Sequence, residues 1–271
     1  MQGLKRVLVV GCGYLGLRVA RLLLEAGHSV MATTRKPSRA EEFRALGIAP
    51  VVGDVTRALQ LPEVDAVIHA VGFDRAAGSP MRAVYVEGLA NVLRSLPGSP
   101  RFVHVSSTGV YGQAEGIVDD EGDTVPVEES GKVVLEAERV LRETRPDATV
   151  LRFAGIYGPG RLLREAALRK GEPLAADADG WLNLIHVEDG ARAVVAALDH
   201  PSMTCNVCDG HPTTRRAFYS RLAELLGAPP PVFIEKREAA NRRIAGTRMR
   251  TVLGVEPRYR SFEEGLPASL G

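Results

Sequence analysis

The feature that most constrains this chain is a glycine-rich turn placed between a strand and a helix. Residues 7–10 (Val-Leu-Val-Val) run directly into Gly11-Cys12-Gly13-Tyr14-Leu15-Gly16. Behind the turn, residues 14–26 carry Leu15, Val19, Leu22 and Leu23 at helical spacing and stop at Gly27. A short apolar run of this kind reads as a buried parallel strand. G-x-G-x-x-G by itself is a weak pattern, but between a strand and a helix it is specific. The first glycine permits the tight turn, the second admits a pyrophosphate against the backbone, and the third lets helix and strand pack closely. The unpaired N–H groups of the helix start then face the anion. The turn therefore predicts a Rossmann-type dinucleotide site whose contacts include Gly11, Gly13, Tyr14, Leu15 and Gly16.

The rest of the N-terminal half repeats the alternation. Strands are expected at 28–34, 49–53, 65–71, 101–106 and 148–153, and helices at 39–46, 81–96 and 133–143. Single helices between strands imply right-handed crossovers and a doubly wound parallel α/β sheet. Beyond about residue 155 the pattern loosens. Short strands at 182–185 and 204–208 mix with helices at 187–198, 213–226 and 262–270. The expected division is a dinucleotide-binding domain over 1–155 and a smaller α/β substrate lobe over 156–271, with interleaving allowed between them.

Composition excludes several alternatives. A chain of 271 residues with 45% hydrophobic and 25% charged residues is ordinary for a folded α/β core. A formal net charge of +1 gives no footprint for nucleic acid or an anionic membrane. The cluster Arg242, Arg243, Arg248 and Arg250 reads as a solvated helix face. The start of the chain is too short in apolar residues for a signal peptide, and no apolar run reaches membrane-spanning length. Three cysteines fit a reducing compartment, so the cytoplasm is the expected location.

The end of the second strand selects the cofactor. An acid there would bond the ribose hydroxyls of NAD(H). This chain has Thr33-Thr34-Arg35-Lys36, with no acid until Glu41. Arg35 can hold a 2′-phosphate bidentately and Thr34 can donate a hydroxyl hydrogen bond, which points to NADP(H) in preference to NAD(H). Two further loops close strands: Gly53-Asp54-Val55-Thr56, and Ala70-Val71-Gly72, which is small enough for a cofactor to lie against it. On chemistry alone Asp54 serves equally as an adenine contact or a helix cap.

With these residues in view, the chain resembles the extended short-chain dehydrogenase/reductase family, in particular its nucleotide-sugar epimerases and dehydratases. The resemblance rests on Gly11 to Gly16, on Gly-Asp-Val-Thr at 53–56 and on His-Val-Ser-Ser-Thr-Gly-Val-Tyr-Gly at 104–112. Leu-Arg-Phe-Ala-Gly-Ile-Tyr-Gly-Pro-Gly at 151–160 and Ile-His-Val-Glu-Asp-Gly-Ala-Arg-Ala at 185–193 complete the series. It implies that Ser107 is the catalytic hydroxyl, that Asp54 and Val55 contact adenine, and that Ile156 packs near the nicotinamide.

The chain also departs from that family. Aligning Ala137-Glu138 with the family's Ala-Glu pair puts Ser130 and Val134 where Tyr-x-x-x-Lys is usual. Both positions fall on one helix face, but neither residue supplies a phenol or an ammonium. Lys132 lies about 200° around the helix from Ser130 and is expected to pair with Glu128. Tyr85 stands where the family usually has asparagine.

Other candidates are weighed by chemistry. Cys205 and Cys208 with His211 lack a fourth ligand, and their spacing on a strand sends them to opposite faces, so buried structural cysteines are expected. Cys12 is expected to be present for its size. His186 is expected to cap or pack, and His69 and His104 to be satisfied core residues. Tyr111 and Tyr157 are the tyrosines whose loops are expected nearest the cofactor. The expected function is an NADP(H)-dependent oxidoreductase, epimerase or dehydratase acting on a polar small molecule, with a nucleotide sugar among the candidates. The alternative is a non-catalytic NADP(H)-binding redox sensor or regulator. A monomer, or a homodimer through the helices at 81–96 and 133–143, is expected.

Overall fold

The computed structural model describes residues 3, 5–236 and 241–270; Met1, Gln2 and Leu4, read above as part of the chain's start, lie outside them. The chain runs through β1 (Arg6–Val10), α1 (Tyr14–Glu25), β2 (Ser29–Thr34), α2 (Arg39–Ala45), β3 (Ala49–Val52) and β4 (Ala66–His69). A π turn (Ala83–Glu87) leads into α3 (Gly88–Ser95), followed by β5 (Arg101–Ser107), α4 (Glu129–Thr144) and β6 (Thr149–Phe153). Then come β7 (Gly155–Tyr157), β8 (Leu184–His186), α5 (Val187–Ala196), β9 (Thr204–Val207), α6 (Arg215–Leu226) and α7 (Phe262–Leu270). Seven strands form one all-parallel sheet in the order β9-β6-β5-β4-β1-β2-β3. This is the doubly wound Rossmann-type arrangement, with the order reversing beside β1.

The alternation of side chains along β1 builds two cores at once. Val7 and Val9 pack with Leu15, Val19 and Leu23 of α1 and Val194 of α5. Leu8 and Val10 face the other way, into Leu89 and Val92 of α3 and Ala137 and Leu141 of α4. A third cluster joins Tyr157, Leu184, Phe218, Leu222, Phe262 and Leu266 under α6 and α7. The segments after residue 155 do not all stay in that lobe. Helix α5 packs on α1, and β9 extends the main sheet with Cys205 opposite Leu151. Among the described residues no helix is long and apolar enough to cross a membrane.

Three local expectations change. The helix expected at 133–143 begins four residues earlier, at Glu129, because Gly131 lets the helix start lie on the preceding turn. A Cβ there would sit 2.3 Å from the Gly109 carbonyl oxygen. The strand expected at 182–185 is two strands, Trp181–Leu182 and β8, separated at Asn183. The two pair with different partners, Trp181–Leu182 with Thr213–Thr214 and β8 with β7, while the Asn183 side chain between them accepts from the Ile244 N–H and donates to the Arg242 carbonyl. The arginine cluster is also not a solvated helix face. Arg242 donates to the carbonyls of Gln113 and Thr108, Arg248 pairs with Glu121, and Arg250 donates to the Asp209 carbonyl.

Candidate active site

An open cleft of about 700 Å³ lies across the carboxyl ends of β1, β2, β4 and β5, at the reversal of strand order. Gly11, Gly13, Tyr14, Leu15, Thr34, Arg35, Asp54, Val55, Ala70, Val71, Gly72 and Ile156 all border it, as does Ser107. Gly16 does not; it is buried directly beneath the turn.

The glycine turn is built as its spacing requires. Gly11 has φ +90°, and a Cβ there would lie 2.6 Å from the Ala70 backbone. Its N–H is held by the Thr33 hydroxyl at 3.1 Å. At Gly13 the space a side chain would fill is empty, and no side chain caps the start of α1. These two observations fit a dinucleotide pyrophosphate resting on the helix start. At Gly16 a Cβ would meet the Gly11 carbonyl oxygen at 2.4 Å. Gly16→Ala is accordingly expected to force the turn open, costing about 1–3 kcal/mol of stability and the dinucleotide site with it. Thermal melting and a titration with NADPH read the two losses separately; unchanged binding would contradict the close packing.

At the end of β2 the basic character is greater than Arg35 alone suggests. Lys36 and Arg39 also border the cleft, and Arg39 donates to the Cys12 carbonyl within the glycine turn while lying over the Phe43 ring. Arg39 reads in the sequence as the start of a helix; the available signal was a second basic residue one helical turn after Arg35. Arg35 is half-exposed and lies 3.5 Å from Asp74. The Thr34 hydroxyl, expected to reach a phosphate, is bonded to the backbone N–H and carbonyl of Lys36. Asp54 accepts from the Thr56 N–H and hydroxyl through one carboxylate oxygen. Burial raises its pKa, but these bonds and the nearby arginines leave it below the usual range.

The other end of the cleft is made by Ser107, Ile156, Tyr85 and the underside of α4. Ser107 Oγ accepts from the Gly109 N–H at 3.1 Å, capping a short 3₁₀ turn and leaving its own proton to donate. Val134 and Ala137 face the cleft, whereas Ser130 is exposed and does not border it. The position expected to carry the ammonium is thus an alkyl wall. Lys132 points outward and pairs with Glu129, not with Glu128 as expected.

Beneath α4 lies a buried polar network. Glu138 takes two bonds from Arg152 and one from Ser106, and the guanidinium lies 4.9 Å from the centre of the Tyr111 ring. Beside it, His104 Nδ1 and His69 Nδ1 are 3.2 Å apart, so one ring donates and the other accepts. Burial drives His69 well below the usual histidine range and His104 down to about 4, which keeps both neutral at pH 7. His69 is not fully satisfied, contrary to expectation, because its Nε2 is sealed without a partner.

Several sequence candidates lie away from the cleft. Tyr111 is buried and donates to Asn206 Oδ1 at 2.6 Å; Tyr157 is buried and donates to the Ser261 carbonyl at 3.4 Å. Neither is free to serve the cleft. His186 caps α5 by accepting from the Glu188 N–H and stacks on Tyr259. Cys205 and Cys208 sit in different apolar clusters, and burial pushes the Cys12 thiol up to about 11.

A family model for the NAD dependent epimerase/dehydratase family matches residues 7–208. The chain belongs to that family. The match spans the glycine turn, Ser107 and α4, and supports an enzymatic role for the chain, since the family is one of NAD-dependent epimerases and dehydratases. Among curated proteins, it is 30% identical to Protein YeeZ of Escherichia coli strain K12, over 94% of this chain and 97% of that one. It is 28% identical to a 3-diazoavenalumate denitrifying reductase of a Streptomyces species, over 96% and 99% of the two chains. Among solved structures, a conserved protein of unknown function from Silicibacter pomeroyi superimposes with a TM-score of 0.79 at 27% identity, covering 98% of both chains.

Proposed function

We propose that this family member is an NADP(H)-dependent reductase of a polar small molecule that carries a carbonyl or a comparably electrophilic group. The observation that carries the cofactor assignment is the set of three cations, Arg35 and Lys36 after β2 and Arg39 at the start of α2, bordering the cleft where the strand end itself carries no carboxylate for a 2′-hydroxyl. Reduction is favoured over epimerisation or dehydration by one of the relatives that match almost end to end, which bears the name of a reductase.

When bound, the reduced nicotinamide supplies hydride, the chemistry the protein itself lacks. The residues of the chain then have separable tasks. The glycine turn and the start of α1 hold the pyrophosphate, and Asp54 and Val55 meet the adenine. Ile156 packs at the nicotinamide end, and Ser107 donates a hydrogen bond to the reacting oxygen. The open cleft admits the substrate, for which a nucleotide sugar is one candidate.

Fluorescence titration with NADPH and NADH tests the assignment directly. NADPH is expected to bind more tightly, and Arg35→Ala to weaken it by roughly 30-fold, about 2 kcal/mol for one charge-assisted contact, while NADH is unaffected. Equal affinity for the two cofactors in the wild-type protein would contradict it.

A further inference from the structure

The family's proton-handling pair is missing from α4, yet the cleft holds a phenol and a cation supplied by other elements. We propose that Tyr85 Oη is the proton donor of this site and that Arg161, which lines the same cleft, is its positioning cation. The proposal rests on the reading of the chain as a reductase.

The six tyrosines can be sorted by position. Tyr111 and Tyr157 have their hydroxyls engaged with Asn206 and Ser261 in the interior. Tyr219 is buried in the cluster under α6, and Tyr259 lies against the His186 ring. Tyr14 borders the cleft at the glycine turn, but its hydroxyl is sealed. Among these, Tyr85 borders the cleft together with Ser107 and Val134, and the one hydrogen bond of its hydroxyl is accepted from the Phe73 N–H, not donated.

Its setting suits the task. Tyr85 stands on the π turn packed against α4, and π turns recur at functional sites because the extra residue re-aims a side chain. Its oxygen accepts from the Phe73 N–H at 3.1 Å, so its own proton is left to give, and the same N–H would stabilise the phenolate that remains. Burial raises this phenol's pKa, while the Phe73 N–H and the Arg161 charge pull it down. Arg161 lies 5.4 Å from the Tyr14 ring centre and has no acidic partner among the described residues. It is an exposed cation lining the same cleft as Tyr85.

The step balances without a further reagent. The carbonyl carbon gains a hydride from reduced cofactor, forming a C–H bond. The C=O π pair moves onto oxygen, and that oxygen takes the proton from Tyr85 Oη. The phenolate regains its proton from water in the open cleft.

Tyr85→Phe and Arg161→Leu test this, read by NADPH titration, by NADPH oxidation against a panel of aliphatic and aromatic aldehydes and ketones, and by ultraviolet titration of the phenols. Tyr85→Phe is expected to bind NADPH as the wild type does, which shows that it folds, and to lose about 100-fold or more in kcat. It should also remove one ionisation from the phenol titration, and Arg161→Leu should move that same ionisation to higher pH. Wild-type turnover surviving in Tyr85→Phe overturns the proposal. If NADPH binds but no carbonyl is turned over by the wild type, the reductase reading fails and the phenol titration decides on its own. An ionisation that depends on both Tyr85 and Arg161 then supports the pair, and its absence overturns it.

Discussion

Glu138→Ala is expected to cost about 3–5 kcal/mol of stability, the range found when one member of a buried ion pair is removed. The Glu138 and Arg152 side chains are 3% and 8% exposed, so the guanidinium left behind could not be rehydrated without opening α4. Ser106 would lose the acceptor of its hydroxyl as well. A urea denaturation series would show the midpoint falling with little change in slope. Replacing both partners, Glu138→Leu with Arg152→Met, should recover most of the loss, because a well-packed apolar pair avoids the desolvation cost of two charges. A single mutant within 1 kcal/mol of wild type would mean that the network is hydrated and contributes little.

The second large effect concerns pH. Asp209 follows β9 and is 1% exposed, with one oxygen accepting from the His211 N–H and the other sealed without a partner. Burial pushes its carboxyl up to about 7, against the pull of the His211 N–H and the Arg250 charge. Between its ordinary value near 3.8 and 7 the folded protein therefore holds a proton that the unfolded chain has released. Stability from this group is full below that window, falls as pH rises through it, and is flat above 7. The total is of order 4 kcal/mol for a shift of this size. Asp209→Asn keeps the acceptor for His211 and cannot ionise. It should gain on the wild type as pH rises from 5 to 8, by urea midpoints measured at each pH. Parallel curves for the two proteins would contradict a buried neutral carboxyl.

How much of this was legible beforehand differs along the chain. Elements with strong hydrophobic period and glycine punctuation were readable: β1, α1, β2 and β5 stand within a residue or two of expectation. So was much of the lining of the cleft at the carboxyl ends of the strands, because the geometry of a strand-turn-helix is local and glycine marks it. The start of α4 was not readable, since Gly131 weakens a helix by propensity and is retained only because Gly109 packs against it. The role of Arg242 was hidden for a similar reason, as the carbonyls it clamps at Thr108 and Gln113 are more than a hundred residues away.

The Rossmann-type sheet, the position of its glycine turn, the acid-free end of β2 and the absence of Tyr-x-x-x-Lys from α4 can all be read from the residues alone. Each of these is a matter of residue type at short spacing, where backbone geometry is set by neighbours. Only the tertiary structure decided which tyrosine reaches the cleft. The sequence points to the loops of Tyr111 and Tyr157, whereas Tyr85 falls inside an expected helix, and which hydroxyl is left with a proton to give depends on which distant groups take its hydrogen bond. Asn206 and Ser261 take those of Tyr111 and Tyr157, whereas Phe73 donates to Tyr85 and leaves its proton free.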